Sequence, residues 1–234
     1  MLEDVTAILL CGGKGERLRP FTETVPKPLV PLAGKPLLEH LMHYLAYAGI
    51  HKFVLCVGYK GEAIEAFLAE HRDEGWDAVC VDSGDATMTD RINDARVHVP
   101  GRALICYGDT LANVDLAALG AAHRRAGAEM TMTTYPLHSP FGIVEIEPGG
   151  VVSGFSEKPR LPHWINIGFM LCNPAALDHA TRGTDMVPFL SDMARRRWLH
   201  AYKHEGRHLT VNTEKERQIA ETLVVDFYTL PKQD

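Results

Sequence analysis

Long apolar runs are missing from this 234-residue chain: the longest near the start is Ala7-Ile8-Leu9-Leu10-Cys11, far short of the ~18 residues that a membrane-spanning helix needs. No membrane partner is expected. Positive charge is also scarce, since 24 Lys and Arg face 30 Asp and Glu for a formal net charge of -6. Nothing global therefore draws nucleic acid, although a small anionic ligand needs only a local cluster of cations. Cysteine is sparse and odd in number. Cys11, Cys56, Cys80, Cys106 and Cys172 show no close pairing, and four of them lie in apolar runs, which argues for reduced, buried thiols rather than disulfides or a zinc site. The opening Met1-Leu2-Glu3-Asp4 is acidic where a secretory signal would be basic, so the expected location is the cytoplasm. Repeats, low-complexity tracts and linkers are absent too, which leaves one domain over residues 1–234. A composition of 46% hydrophobic and 23% charged residues is that of an ordinary globular chain.

The first half alternates between two periodicities. Residues 5–11 form an apolar, β-branched run that stops at Gly12-Gly13, which predicts a buried strand leading into a glycine-rich loop. Residues 36–48 have helical apolar spacing, open on a proline and end at Gly49. Strands are then expected over 53–57, 78–81, 103–107 and 130–135, with helices over 62–71 and 116–126 between them. That alternation predicts parallel βαβ units. Beyond Pro140, residues 142–146 and 151–155 flank Glu147-Pro148-Gly149-Gly150, a hairpin signal, so the second half should add mixed or antiparallel strands. A strand over 167–172, a helix over 187–196 and a closing helix from 215 to about 227 complete the pattern.

Two segments carry the chemistry. In Leu10-Cys11-Gly12-Gly13-Lys14-Gly15-Glu16-Arg17-Leu18-Arg19-Pro20 a strand delivers three glycines, whose amides can approach phosphate oxygens, and then two arginines that can fork onto them. The segment is neither a Walker A loop nor Gly-x-Gly-x-x-Gly, and alone it fits a plain glycine turn. In Val25-Pro26-Lys27-Pro28-Leu29-Val30 two prolines fix the backbone around a lysine, which predicts an ammonium held on a rigid extended segment. Asp109 ends an apolar strand, where ligands of open α/β sheets collect, and can hold Mg²⁺ or merely cap a loop. Glu157-Lys158-Pro159 joins a hydroxyl acceptor to a cation, unless it is a solvated turn. Asn166, two residues before Gly168, can present an amide to sugar hydroxyls or close a turn.

Together with Gly34-Lys35-Pro36-Leu37, these segments resemble the sugar-phosphate nucleotidyltransferase family. The resemblance continues in the family's order through Tyr107-Gly108-Asp109, Phe141-Gly142-Ile143-Val144, Glu157-Lys158-Pro159 and Asn166-Ile167-Gly168, over nearly the whole chain. It implies a Rossmann-like α/β fold, an open and mostly parallel mixed sheet flanked by helices. Residues 1–135 would be a nucleotide-binding half, and 136–234 a hairpin-containing half for the sugar phosphate with the closing helix. The implied reaction joins a nucleoside monophosphate to a sugar 1-phosphate and releases pyrophosphate with Mg²⁺ as cofactor. By the same resemblance Gly12, Gly13 and Gly15 line the nucleotide phosphates, with Leu10, Asp82, Gly84, Thr87 and Gly108 also on the nucleotide. Arg17 binds the leaving pyrophosphate and Lys27 neutralises the α-phosphate region. Glu157 contacts the sugar and Lys158 the acceptor phosphate, beside Gly142, Asn166 and Gly168. Asp109 ligates the metal.

The chain departs from the family at the second metal carboxylate. His208-Leu209-Thr210-Val211-Asn212-Thr213 places Thr210 or Asn212 where an aspartate is expected, and an asparagine offers Mg²⁺ an uncharged oxygen. The segment from Val81 to Arg91 is similar to that of glucose-1-phosphate cytidylyltransferases, lacking a Gly-Gly step between Thr89 and Arg91. CTP is therefore the leading donor, with UTP, dTTP and GTP open, as is a non-sugar phosphate acceptor. Self-association into a homo-oligomer is also open. Two other classes compete. A non-catalytic nucleotide-binding homologue draws on the missing carboxylate. A dinucleotide-dependent oxidoreductase draws on the glycine loop, but fails because Pro26-Lys27-Pro28-Leu29 occupies the place of the acidic ribose partner.

Overall fold

The computed structural model describes residues 2–227. Its elements in chain order are β1 (Val5–Leu10), α1 (Leu37–Tyr47), β2 (Lys52–Val57), α2 (Gly61–Glu70), β3 (Asp77–Asp82), α3 (Met88–Ala95), β4 (Arg102–Tyr107), β5 (Thr110–Ala112), α4 (Leu116–Ala126), β6 (Met130–His138), β7 (Ile143–Ile146), β8 (Val152–Ser156), β9 (Arg160–Cys172), α5 (Met186–Arg195), β10 (Leu199–Lys203), β11 (His208–Thr210) and α6 (Glu214–Leu223), with shorter turns and a two-residue ladder between them. Seven strands form one sheet in the order β10-β6-β9-β4-β1-β2-β3. The expected mostly parallel mixed sheet is present: β4, β1, β2 and β3 run parallel, β10 is parallel to β6, and β9 runs antiparallel to both of its neighbours.

Strand alternation explains why the central runs are mainly apolar. Ala7 and Leu9 of β1, Phe53 and Leu55 of β2, Leu104 and Cys106 of β4, and Phe169 and Leu171 of β9 pack on one face with α1, α2, α4 and α6. Ile8, Val54, Ile105 and Met170 pack on the other face with α3 and α5. Each strand is covered on both sides, so both parities of position are mainly apolar, with Thr6 of β1 a buried polar exception. Burying each Val, Leu, Ile, Phe or Met among these side chains stabilises the fold by about 1.5–3 kcal/mol. α1 stops where expected, because Gly49 adopts φ +91 and the Ile50 amide returns to the Leu45 carbonyl at 2.9 Å.

Several elements differ from the sequence pattern. α3 is an additional helix, started by a reciprocal cap in which the Asp90 amide donates to Thr87 Oγ1 and the Thr87 amide to Asp90 Oδ2, both at 3.2 Å. β9 begins at Arg160 rather than 167, and its register shifts between Asn166 and Met170, where Gly168 takes φ +78. The bulge and Pro162 break the alternation that marks a strand. β5, β10 and β11 are also additional. Lys27 does not lie on an extended segment: Pro26 is extended, but Lys27–Leu29 is one 3-10 turn. That turn closes through the amides of Leu29 and Val30, so Pro28 has no donor to lose.

Candidate functional site

The carboxyl ends of β1 and β4 open into a cleft of about 920 Å³, at the position where open α/β sheets bind ligands. Leu10, Gly12, Gly13, Gly15, Arg17, Lys27, Gly108, Asp109, Asn166 and Asn212 all line it. The backbone is tight here for reasons internal to the protein. A methyl group on Gly12 would stand 2.2 Å from the Arg91 guanidinium carbon, and one on Gly108 would stand 2.8 Å from Cys11 Sγ and 2.9 Å from the Leu10 carbonyl oxygen. Gly15 takes φ +62, and a side chain there would meet Lys27 Cβ at 3.0 Å. Gly13 alone among the three loop glycines faces open space.

Lys27 is the centre of the charged part. Its side chain is only 10% exposed, and its Nζ donates to Asp109 Oδ2 at 2.6 Å and to Asn212 Oδ1 at 2.8 Å. Arg17 Nη2 donates to the same Asn212 oxygen at 3.1 Å. These residues are brought together by the antiparallel ladder of β5 and β11, in which Thr110 pairs with Thr210 and the Val211 amide reaches the Asp109 carbonyl at 3.4 Å. Thr210 and Asn212 both line the cleft, but Asn212 is the one that meets Lys27. The Asn212 amide is anchored to Glu216 Oε2 at 2.7 Å, in the first turn of α6.

Beside this centre, Asn166 Nδ2 donates to the Tyr107 hydroxyl at 3.3 Å, and its Oδ1 accepts from the Gly168 amide at 2.9 Å. Burial raises the Tyr107 pKa against the opposing pull of that hydrogen bond. Burial also raises the thiols of Cys11, Cys56, Cys106 and Cys172, so none offers a thiolate nucleophile near neutral pH. All five cysteines are free, four of them buried and Cys80 half-buried.

Other predicted residues stand apart from the cleft lining. The Asp82 carboxylate takes the Gly84 amide at 2.8 Å, and the Gly84 carbonyl accepts from Arg91 Nη2 at 2.7 Å. Thr87 caps α3. These three residues thus shape the loop whose Asp85, Ala86 and Met88 face the cleft. Gly168 lies under Tyr107, where a side chain would come within 2.4 Å of the ring. Gly142, Glu157 and Lys158 are outside the cleft, gathered at the β7–β8 hairpin. A methyl on Gly142 would meet the Phe155 ring at 2.7 Å, and Glu157 and Lys158 form a loose 4.0 Å pair with side chains 62% and 66% exposed.

Arg91 and His208 line the cleft without having been assigned a role from sequence. Arg91 is buried, bonded to the carbonyls of Val57 and Gly84, beneath Gly12. No spacing rule marks it. His208 is placed by strand alternation with Thr210 and Asn212, a signal that becomes readable only once β11 is known. Among the described residues no helix is long and apolar enough to cross a membrane.

A family model described as Nucleotidyl transferase matches residues 6–205. The glucose-1-phosphate cytidylyltransferase of Salmonella typhi is 32% identical over 93% of this chain and 95% of that protein. The UTP--glucose-1-phosphate uridylyltransferase of Synechocystis is 29% identical over 80% of this chain and 55% of its own length. Among solved structures, HddC from Yersinia pseudotuberculosis complexed with GMP-PN superposes with a TM-score of 0.73 at 18% identity, covering 93% of this chain and 98% of that one, a likeness of fold.

Proposed function

Because this chain belongs to the nucleotidyl transferase family, we propose that it transfers a nucleoside monophosphate from a nucleoside triphosphate, CTP by preference, to a sugar 1-phosphate. The observation that carries this reading is the Lys27 ammonium held between Asp109 and Asn212 at the mouth of the glycine loop. A phosphate oxygen of the acceptor would form a bond to the α-phosphorus of the triphosphate. The bond from that phosphorus to the bridging oxygen would break, and pyrophosphate would leave with the electron pair. No protein nucleophile is needed, since positioning and charge stabilisation carry such transfers. Lys27 would meet the α-phosphate, Arg17 the departing pyrophosphate, and the amides of the Gly12–Gly15 loop the remaining phosphate oxygens. Leu10 and Gly108 would flank the nucleotide from the strand ends.

Asp109 and Asn212 offer one carboxylate and one amide side chain, hard oxygen ligands of the kind magnesium takes; both are bonded to the Lys27 ammonium, so Mg²⁺ would use their free lone pairs beside Lys27 rather than take its place. Held by these two residues, Mg²⁺ would supply charge neutralisation to the triphosphate. Support for CTP comes from the Val81–Arg91 resemblance and from the near-complete overlap with the Salmonella cytidylyltransferase. Glu157, Lys158 and Gly142 are proposed for the acceptor, which requires the hairpin to approach the cleft when substrates bind. Pyrophosphate release from each pairing of CTP, UTP, dTTP and GTP with glucose 1-phosphate or mannose 1-phosphate tests the whole reading. Fastest release with CTP is expected, and release from no pairing would overturn it.

A further inference from the structure

Among the described residues that line the cleft, one buried side-chain nitrogen has no partner: Nε2 of His208. The Oγ1 atoms of Thr6 and Thr133, also buried without a hydrogen bond, belong to residues outside the cleft. A buried polar atom without a hydrogen bond is rare and costs free energy that a bound ligand can return.

His208 sits at a defined place in that cleft. Along β11 and the residue pair that follows, His208, Thr210 and Asn212 face the cleft, while Leu209 and Val211 pack into the core. The row runs from the Lys27–Asp109 centre to the ring of Tyr135, whose centroid is 5.0 Å from that of His208. At about 3.3 Å per residue, His208 lies roughly 13 Å along the chain from Asn212. It is too distant to touch a phosphorus held beside Lys27. It stands instead on the side formed by β6 and β9, with Tyr135 and Asn166.

We propose that His208 is a specificity-determining residue that hydrogen-bonds an uncharged hydroxyl of the acceptor. The inference rests on the nucleotidyl-transfer reading above. The charge state supports a hydroxyl over a second phosphate: burial, with a smaller contribution from His204, pushes the His208 pKa down to about 4, so the ring is neutral at physiological pH. A neutral imidazole carries one donor and one acceptor, as a sugar hydroxyl does.

The test uses wild type, His208→Phe, which keeps an aromatic ring against Tyr135, and His208→Gln, which restores a polar group. Each is assayed with CTP and the best sugar 1-phosphate of the panel, then with its singly deoxygenated forms. His208→Phe should raise KM for the acceptor about tenfold and leave KM for CTP within twofold. Wild type and His208→Phe should converge on the one deoxy acceptor that lacks the contacted hydroxyl, His208→Gln should recover part of the loss, and the melting temperature of His208→Phe should not fall. An equal loss on every deoxy form, an effect on CTP alone, or a fall in melting temperature that tracks the loss in both variants would overturn the assignment. An inert wild type refutes the nucleotidyl-transfer reading; an active wild type with an unaffected His208→Phe refutes only the role of His208.

Discussion

Lys27 is an ammonium nearly enclosed by the cleft wall, held by one carboxylate and one amide. That environment matters in two ways. Such a cation is a preorganised donor, so Lys27→Ala and Arg17→Ala should each lower turnover on the order of 10²-fold or more, read as kcat at saturating substrates. Changes confined to melting temperature would assign both residues to the scaffold. Among the described residues the neutral Asn212 leaves Asp109 as the one carboxylate bonded to Lys27, and on the proposed metal role it would limit the charge offered to a divalent ion. Asn212→Asp should therefore tighten Mg²⁺ binding on the order of tenfold in a calorimetric titration, and an unchanged affinity would remove Asn212 from the metal site. Gly12 faces a different constraint, because any side chain there strikes the Arg91 guanidinium. Gly12→Ala should destabilise the fold by about 1–3 kcal/mol, measured as a drop in the denaturation midpoint.

At the level of elements, the site depends on pieces with weak sequence signals. The central strands and α1, α2 and α4 were legible because doubly covered strands read as apolar runs and the helices carry 3.6-residue periodicity. β5 and β11 are three residues each, too short for any period to emerge, yet their ladder is what sets Asn212 rather than Thr210 beside Lys27. The glycine loop, Lys27 and Asp109 were legible from local chemistry. Arg91 was not, since its role depends on the approach of Gly12 and Gly58, which are distant in sequence. The start of α3 could have been found, because Thr87-Met88-Thr89-Asp90 is a capping-box pattern. Thr87→Ala should cost about 1 kcal/mol of stability through the lost cap, visible in thermal melts. A rise in KM for CTP without any loss of stability would instead place the Thr87 hydroxyl on the nucleotide.

For the molecule as a whole, acid sensitivity follows from buried neutral histidines. The pKa of His208 is depressed to about 4, and those of His123 and His204 are lowered, in each case chiefly by burial. The unfolded chain then binds more protons than the folded one below about pH 6.5. Stability should be full above that value and should fall as pH drops toward 4, with His208 contributing on the order of 2 kcal/mol. His208→Phe should flatten part of that fall, which thermal melts across the range would show. The proposal of nucleotidyl transfer through the Lys27 centre is tested most directly by pyrophosphate release from wild type and Lys27→Ala, supplied with CTP and a sugar 1-phosphate with and without Mg²⁺. Release by wild type only when both substrates and the metal are present, and lowered on the order of 10²-fold in the variant, is the expected result. Equal release by the two proteins, or none from wild type with any nucleoside triphosphate, would contradict it.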